Sequence, residues 1–191
     1  MPENEKQKPN VHPQNLEKAT FAGGCFWCMQ AVFDKVKGVV FTTVGYAGGH
    51  SKNPTYEEVC SGSTGHAEAI EILYDLSQVT YKELLDIFWR NIEPTMLNRQ
   101  FVDFGTQYRT IIFYQNEEQK RLAEVSKQEL EKSRKFYRPI VTEILPASVF
   151  YKAEEYHQQY YKKNPIRYDF YEAHSGRSQY LKTIWSSSAK K

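Results

Sequence analysis

No stretch of this chain approaches the roughly 18 to 20 consecutive apolar residues that cross a bilayer, and residues 1–15 are polar rather than signal-like. A cytoplasmic protein with no membrane partner is therefore expected. Cysteine is scarce: three residues are too few, and odd in number, for a disulfide scaffold. An excess of one charge sign is also missing, since 25 Lys and Arg stand against 23 Asp and Glu without a long basic block. A surface that neutralises many phosphates needs such a block, so nucleic acid is a poor partner. Repeats and low-complexity linkers are absent from the middle of the chain, which excludes collagenous, coiled-coil and wholly disordered readings.

Aromatic residues are plentiful. With 14 Tyr and 11 Phe among 191 residues, the chain has enough large apolar surface for one good core, and two full domains would be a squeeze. Residues 1–15 carry charge and Pro without an apolar period, and residues 186–191 read SSSAKK. Both are expected to be mobile, leaving a single domain over 16–185.

Within it, Ala19 to Ala22 is a short apolar run ending at Gly23-Gly24. Phe26, Met29, Phe33 and Val36 then follow at helical spacing, closed by Gly38, which predicts strand, tight turn and helix. Val39 to Tyr46 and His66 to Tyr74 read as strands, joined by a glycine-rich loop. Thr80 and Glu83 form a capping box for a helix that buries Leu84, Leu85, Phe88, Trp89 and Ile92 and stops before Pro94. Further on come a strand Gln107 to Tyr114, a helix capped by Asn116, a strand Ile140 to Leu145 and a last helix Ala153 to Lys163. This alternation predicts an α+β fold, a two-layer sandwich of the ferredoxin-like type with helices packed on a mixed, largely antiparallel sheet.

The chemistry-bearing residues begin with Cys25, directly after two glycines at a helix start, where free N–H groups and the positive dipole end favour a thiolate. Cys28 lies at i+3 on the same face, within reach of an internal disulfide once the first sulfur is oxidised. Two other readings of the pair are buried structural thiols and zinc ligands. Zinc needs four ligands, and Cys60 with His66 six residues on does not have the spacing of a structural site. Glu68 shares its strand face with Ile70, Ile72 and Tyr74, so desolvation is expected to raise its pKa and let it act as a general acid. The alternative for Glu68 is a strand-end carboxylate reaching solvent. Tyr46 and Tyr108 each stand beside glycine-bearing loops at a strand end, where hydroxyls can converge on a ligand oxygen, although core packing explains many tyrosines. By composition Asp103 is a turn former and His157 a helix-face residue.

Taken together, these residues resemble the peptide methionine sulfoxide reductase A family. The likeness runs from about Ala19 to Pro165. It includes G-G-C-F-W-C at Gly23 to Cys28, V-G-Y-A-G-G-H at Val44 to His50, Asn53 to Glu68 ending in S-T-G-H-A-E, Asp103 to Arg109, and A-E-E-Y-H-Q-Q-Y at Ala153 to Tyr160. The resemblance implies reduction of the S epimer of methionine sulfoxide, free or in oxidised proteins and peptides, with no cofactor and no metal. It implies Cys25 as nucleophile, Glu68 as acid, Tyr46 and Tyr108 as donors to the sulfoxide oxygen, Phe26 and Trp27 as the seat of the methyl group, and Asp103 as an orienting residue. Many members recycle through cysteines in a glycine-rich C-terminal tail, whereas Tyr168 to Trp185 here contains none. Cys28 is the expected resolving thiol, thioredoxin the expected reductant, Cys60 a buried thiol, and a monomer the expected state. The rival readings are a thioredoxin-like disulfide oxidoreductase using the same C-x-x-C and a zinc-stabilised binding module without catalysis.

Overall fold

A computed structural model of the chain describes residues 13–186. In chain order it contains β1 (Leu16–Gly23), α1 (Phe26–Phe33), β2 (Val39–Ala47), α2 (Tyr56–Cys60), β3 (Ala67–Asp75), α3 (Tyr81–Trp89), β4 (Arg99–Gln100) and β5 (Asp103–Phe104). Then come β6 (Thr110–Tyr114), α4 (Glu117–Lys132), β7 (Glu143–Pro146), β8 (Tyr151–Lys152), α5 (Tyr160–Lys163), α6 (Pro165–His174) and α7 (Arg177–Ser186). Six strands form one mixed sheet in the order β7-β6-β1-β3-β2-β8, while β4 and β5 pair separately. All neighbours in the large sheet are antiparallel except β6 and β7.

Alternation along the strands sorts the sheet into two faces. One face sends Ala19 and Phe21 of β1, Ile70, Ile72 and Tyr74 of β3 and Ile112 of β6 against Met29 and Phe33 of α1 and Leu84, Leu85 and Phe88 of α3. Ala123 and Leu130 of α4 extend the same cluster. Fully burying a side chain such as Phe88 contributes about 1.5 to 3 kcal/mol, so this apolar face holds the helices on the sheet. The other face is built on small residues, Ala22, Ala47, Ala67 and Ala69, with Ile111 and Phe113. Among the described residues no helix is long and apolar enough to cross a membrane.

The helix starts follow from local chemistry. Thr80 and Glu83 form the capping box read from the sequence, Thr55 and Glu58 form a second at α2, and the Asn116 side chain accepts from Gln119 N. Other boundaries moved. The expected strand from Gln107 begins only at Thr110, because Thr106–Tyr108 make a 3-10 turn. The strand expected from Ile140 runs Glu143–Pro146. In place of a helix over Ala153 to Lys163 there is only the short α5, since Gln159 takes a left-handed φ of 52°. Gln158, just before it, spends its amide on the Val44 backbone at 3.0 and 2.9 Å, acting as an extra rung on the edge of β2. The C-terminal stretch forms α6, opened by Pro165 at its first turn, and α7. The segments expected to be mobile lie outside the described residues, apart from a 3-10 turn at Pro13–Asn15 and Ser186 at the end of α7.

Candidate active site

The turn between β1 and α1 is the centre of the site. Gly24 has a φ of +81°, and a Cβ there would fall 2.5 Å from Gln100 Cβ, so glycine meets both a left-handed backbone and a crowded neighbour. Cys25 follows as the N-cap of α1, and its carbonyl accepts from Cys28 N and Met29 N. Its side chain offers the helix no capping bond. Phe26 N, one of the orphan donors of the helix start, instead donates to Glu68 Oε2 at 3.0 Å. A pocket of about 140 Å³ opens over this junction, lined by Cys25, Phe26, Trp27, Tyr56, Glu68, Asp103, Tyr108 and Tyr171.

Glu68 is only 2 % exposed. Burial pushes its carboxyl up to about 8, aided by the charges of Asp103 and Cys28 and opposed by the Phe26 N–H bond. The face assigned by strand alternation is the observed one, and Glu68 does not reach solvent. Asp103 is also raised by burial, against the opposing pull of its hydrogen bond from Tyr171 and of Arg177. Burial keeps Tyr56 and Tyr108 protonated, each with the Glu68 charge adding to the effect, so both remain hydroxyl donors.

The thiols depart from expectation. Burial drives the Cys25 thiol well above its ordinary value, with its hydrogen bond to Cys28 and the Cys28 charge adding to the rise. Cys28 is lowered to about 7, chiefly by the same hydrogen bond and further by Arg177 and Tyr168, against the cost of burial. The two thiols titrate as a coupled pair that loses its first proton easily, and the resulting charge is shared across their hydrogen bond. Dipole and orphan N–H groups at the helix start are outweighed at Cys25 by desolvation, while Phe26 N is already engaged by Glu68. Cys60 is not a fully buried thiol: it is half-buried at the end of α2, close to Tyr56, and burial raises it.

Of the residues expected at the site, Cys25, Phe26, Trp27, Glu68, Asp103 and Tyr108 line one pocket, with Cys28 in contact with Cys25. Tyr46 does not line it. Although Tyr46 pairs with Glu68 across the sheet and shares its face, its hydroxyl donates to Glu154 Oε2 at 2.7 Å. Tyr56 stands in the pocket instead, anchored through its backbone N–H to Glu154 Oε1 at 2.9 Å. His157, read as a helix-face residue, is 1 % exposed and accepts from Trp27 Nε1 at 3.1 Å. Trp27 also stacks on Tyr160 with ring centroids 3.9 Å apart, so its indole is clamped from two sides. Among the described residues no three His, Cys, Asp or Glu side chains converge as metal ligands.

Residues 17–189 match the family described as peptide methionine sulfoxide reductase. The chain belongs to the peptide methionine sulfoxide reductase family. A relative named peptide methionine sulfoxide reductase MsrA from Listeria monocytogenes serovar 1/2a is 52% identical over 172 residues, covering 90% of this chain and 97% of its own. Reduced Mxr1 from Saccharomyces cerevisiae is similar in structure, with a TM-score of 0.76 at 34% identity over 82% of this chain and 90% of that one. Mxr1 in complex with Trx2 aligns at a TM-score of 0.56 and 25% identity, covering 82% of this chain and 91% of that one.

Against that family background two side chains of the pocket had escaped the sequence reading. Tyr56 carries a signal that was there to use, because the Thr55–Glu58 capping box puts it at the first helical position, beside the strand that bears Glu68. Tyr171 carries none, since nothing local tells that α6 folds back over β5. Its hydroxyl donates to Asp103 Oδ2 at 2.5 Å. An ultraviolet thiolate titration of the reduced protein is expected to show one thiolate appearing near pH 7, where the coupled pair loses its first proton, and to lose that step in Cys28→Ser. A first thiolate appearing only above pH 9 would contradict the easy loss of the first proton from the pair.

Proposed function

We propose that this protein is a peptide-methionine (S)-S-oxide reductase that uses Cys25 as nucleophile, Glu68 as acid and Cys28 as resolving thiol, with thioredoxin as the reductant. The observation that carries the reading is the Glu68 carboxyl, raised to about 8 by burial in the same pocket as the Cys25 thiol, so that an acid and a sulfur nucleophile stand together at neutral pH. Support for the reductant comes from the complex of the yeast relative with Trx2.

In this mechanism the sulfoxide methyl rests on Phe26 and the clamped Trp27, and its oxygen faces Glu68, Tyr56 and Tyr108. Cys25 attacks the sulfoxide sulfur while its proton passes to Cys28 across the thiol–thiolate hydrogen bond. Glu68 protonates the sulfoxide oxygen, and the two hydroxyls stabilise charge developing there. The oxygen ends on Cys25 as a sulfenic acid, the sulfoxide sulfur gains the two electrons that the Cys25 sulfur loses, and methionine leaves. Cys28 then attacks Cys25, forming the S–S bond and breaking S–O, and gives its proton to the departing hydroxide, which leaves as water. A dithiol restores both thiols. Asp103, held by Tyr171, orients the donors around the oxygen. Tyr56, which lines the pocket, thus takes the donor role the resemblance gave to Tyr46, which does not line it.

The reading extends to the architecture. The succession β1-α1-β2-β3-α3-β6, with β6, β1, β3 and β2 adjacent in that order, supports a core of the ferredoxin-like type. A pocket drawing on residues from Cys25 to Tyr171 supports a single catalytic domain over 16–185.

Dithiothreitol-dependent reduction of each methionine sulfoxide epimer is the direct test. A pocket with its methyl seat and oxygen donors on different walls accepts one epimer, so comparable rates on both would remove the assignment. The first step needs the dithiol to have lost one proton, near 7, and Glu68 to have kept its own, which holds below about 8. Its rate is therefore expected to rise through the first value and fall through the second. Glu68→Gln is expected to slow this step by about 10² to 10⁴ and to abolish the alkaline limb. A variant with the wild-type single-turnover rate would exclude Glu68 as the acid.

A further inference from the structure

His157 takes no step in the reduction and does not line the pocket, yet it is buried against both of the pocket's walls. On the methyl side, its Nδ1 accepts from Trp27 Nε1 at 3.1 Å, and its ring lies 5.1 Å from that of Phe26. On the side of the oxygen donors, its ring centroid is 4.4 Å from that of Tyr56. His157 N donates to Glu154 O at 2.9 Å, so one turn of chain carries both the imidazole and the Glu154 carboxylate. That carboxylate takes the Tyr46 hydroxyl on Oε2 and the Tyr56 backbone N–H on Oε1.

An indole N–H can only donate, so Nδ1 of His157 must offer a lone pair, and the imidazole is neutral with its proton on Nε2. Nε2 is buried with no hydrogen-bond partner among the described residues, the nearest carboxylate oxygen, Glu154 Oε2, standing 3.9 Å away. A buried N–H without a partner is costly, and an apolar ring at this place would avoid the cost. What the imidazole supplies in return is the acceptor for Trp27. Tyr160, stacked on the indole at 3.9 Å and 9°, stops it tilting but leaves it free to slide in its own plane. The bond to Nδ1 removes that freedom.

We infer that His157 is a positioning residue for epimer selection: as the neutral imidazole protonated on Nε2, it locks the Trp27 indole through Nδ1 while packing on Tyr56, and so fixes the methyl seat relative to the oxygen donors. The inference rests on the reductase reading, with Trp27 as part of the methyl seat. The two sulfoxide epimers differ in which wall receives the methyl group and which the oxygen, so discrimination needs the walls held at a set distance and angle. With the indole free to slide, the seat loosens and the wrong epimer is rejected less. Protonation of His157 has the same effect, because it sets N–H against N–H. The groups that face the ring are Phe26 and Trp27 from α1, Tyr56 and Glu57 from α2, and Glu154 and Tyr156 from its own turn. Burial lowers the affinity of His157 for a second proton, against the charges of Glu154 and Glu57, and the two tyrosines stay neutral.

Steady-state kinetics of dithiothreitol-dependent reduction, with each methionine sulfoxide epimer taken separately across a pH series, supply the test. His157→Leu removes the acceptor and is expected to raise KM for the S epimer about three- to ten-fold, the worth of one neutral hydrogen bond, with kcat changed less. Preference for that epimer should fall by a similar factor. His157→Asn places an amide oxygen near the Nδ1 position, does not titrate, and is expected to bring both quantities back toward wild type. In wild type KM rises as the pH falls through the His157 value, which lies below the ordinary 6.5, and His157→Asn lacks that rise. Because either variant can fail to fold, nitrogen NMR of the wild-type imidazole reads the tautomer without a substitution, with the proton expected on Nε2. A proton on Nδ1 would overturn the inference. So would folded His157→Leu that slows both epimers equally with KM unmoved, or His157→Asn no better than His157→Leu, and each of these leaves the reductase reading intact. Wild type that reduces both epimers at comparable rates would remove the reductase reading, and the inference with it.

Discussion

The hydrogen bond from Phe26 N to Glu68 Oε2 joins the start of α1 to the start of β3, and the site depends on that junction. A helix start has unsatisfied N–H groups, and a carboxyl buried on an apolar sheet face has unsatisfied oxygens. Each supplies what the other lacks. The bond fixes Cys25, the preceding residue, beside Glu68. Being a single bond from a neutral donor, it stops short of reversing the effect of burial, and the carboxyl stays raised to about 8. A lysine or arginine partner would have held the group ionised and removed its use as an acid.

The rest of the pocket refines this pair. Trp27 is fixed by His157 and Tyr160, so the apolar wall is rigid before a substrate arrives. Glu154 takes the Tyr46 hydroxyl and the Tyr56 backbone N–H on its two oxygens, which ties β2 to α2 and leaves the Tyr56 hydroxyl on the pocket side. Desolvation acts oppositely on the two kinds of acid in the site. It keeps a proton on Glu68, where the proton is needed, and it keeps one on Cys25, where it must be shed. Cys28 answers the second problem by sharing, through its hydrogen bond, the charge that Cys25 cannot hold alone.

Much of this was legible from residues. The Glu68 face followed from a period of two along β3, and the position of Cys25 from two glycines before a helical stripe. The capping boxes placed α3 and could have placed Tyr56. What failed did so for a common reason: the deciding partner is distant in sequence. Tyr46 stands at a strand end as expected, but its hydroxyl goes to Glu154, 108 residues away. His157 reads as exposed until Trp27, 130 residues earlier, is laid against it. The helix start at Cys25 favours a thiolate locally, and only the packed surroundings show that burial opposes it there and that Cys25 titrates together with Cys28. Gln159, with its left-handed backbone, broke a helix whose composition gave no warning.

The central claim is that Glu68 is a neutral carboxylic acid in the resting protein, and its carbonyl stretching band reports this without reference to turnover. Infrared difference spectra of wild type against Glu68→Gln, recorded across a pH series, isolate that group. The account predicts a protonated carboxyl band at pH 7 that disappears with a midpoint near 8. A Glu68 carboxylate already ionised at pH 6 would contradict it.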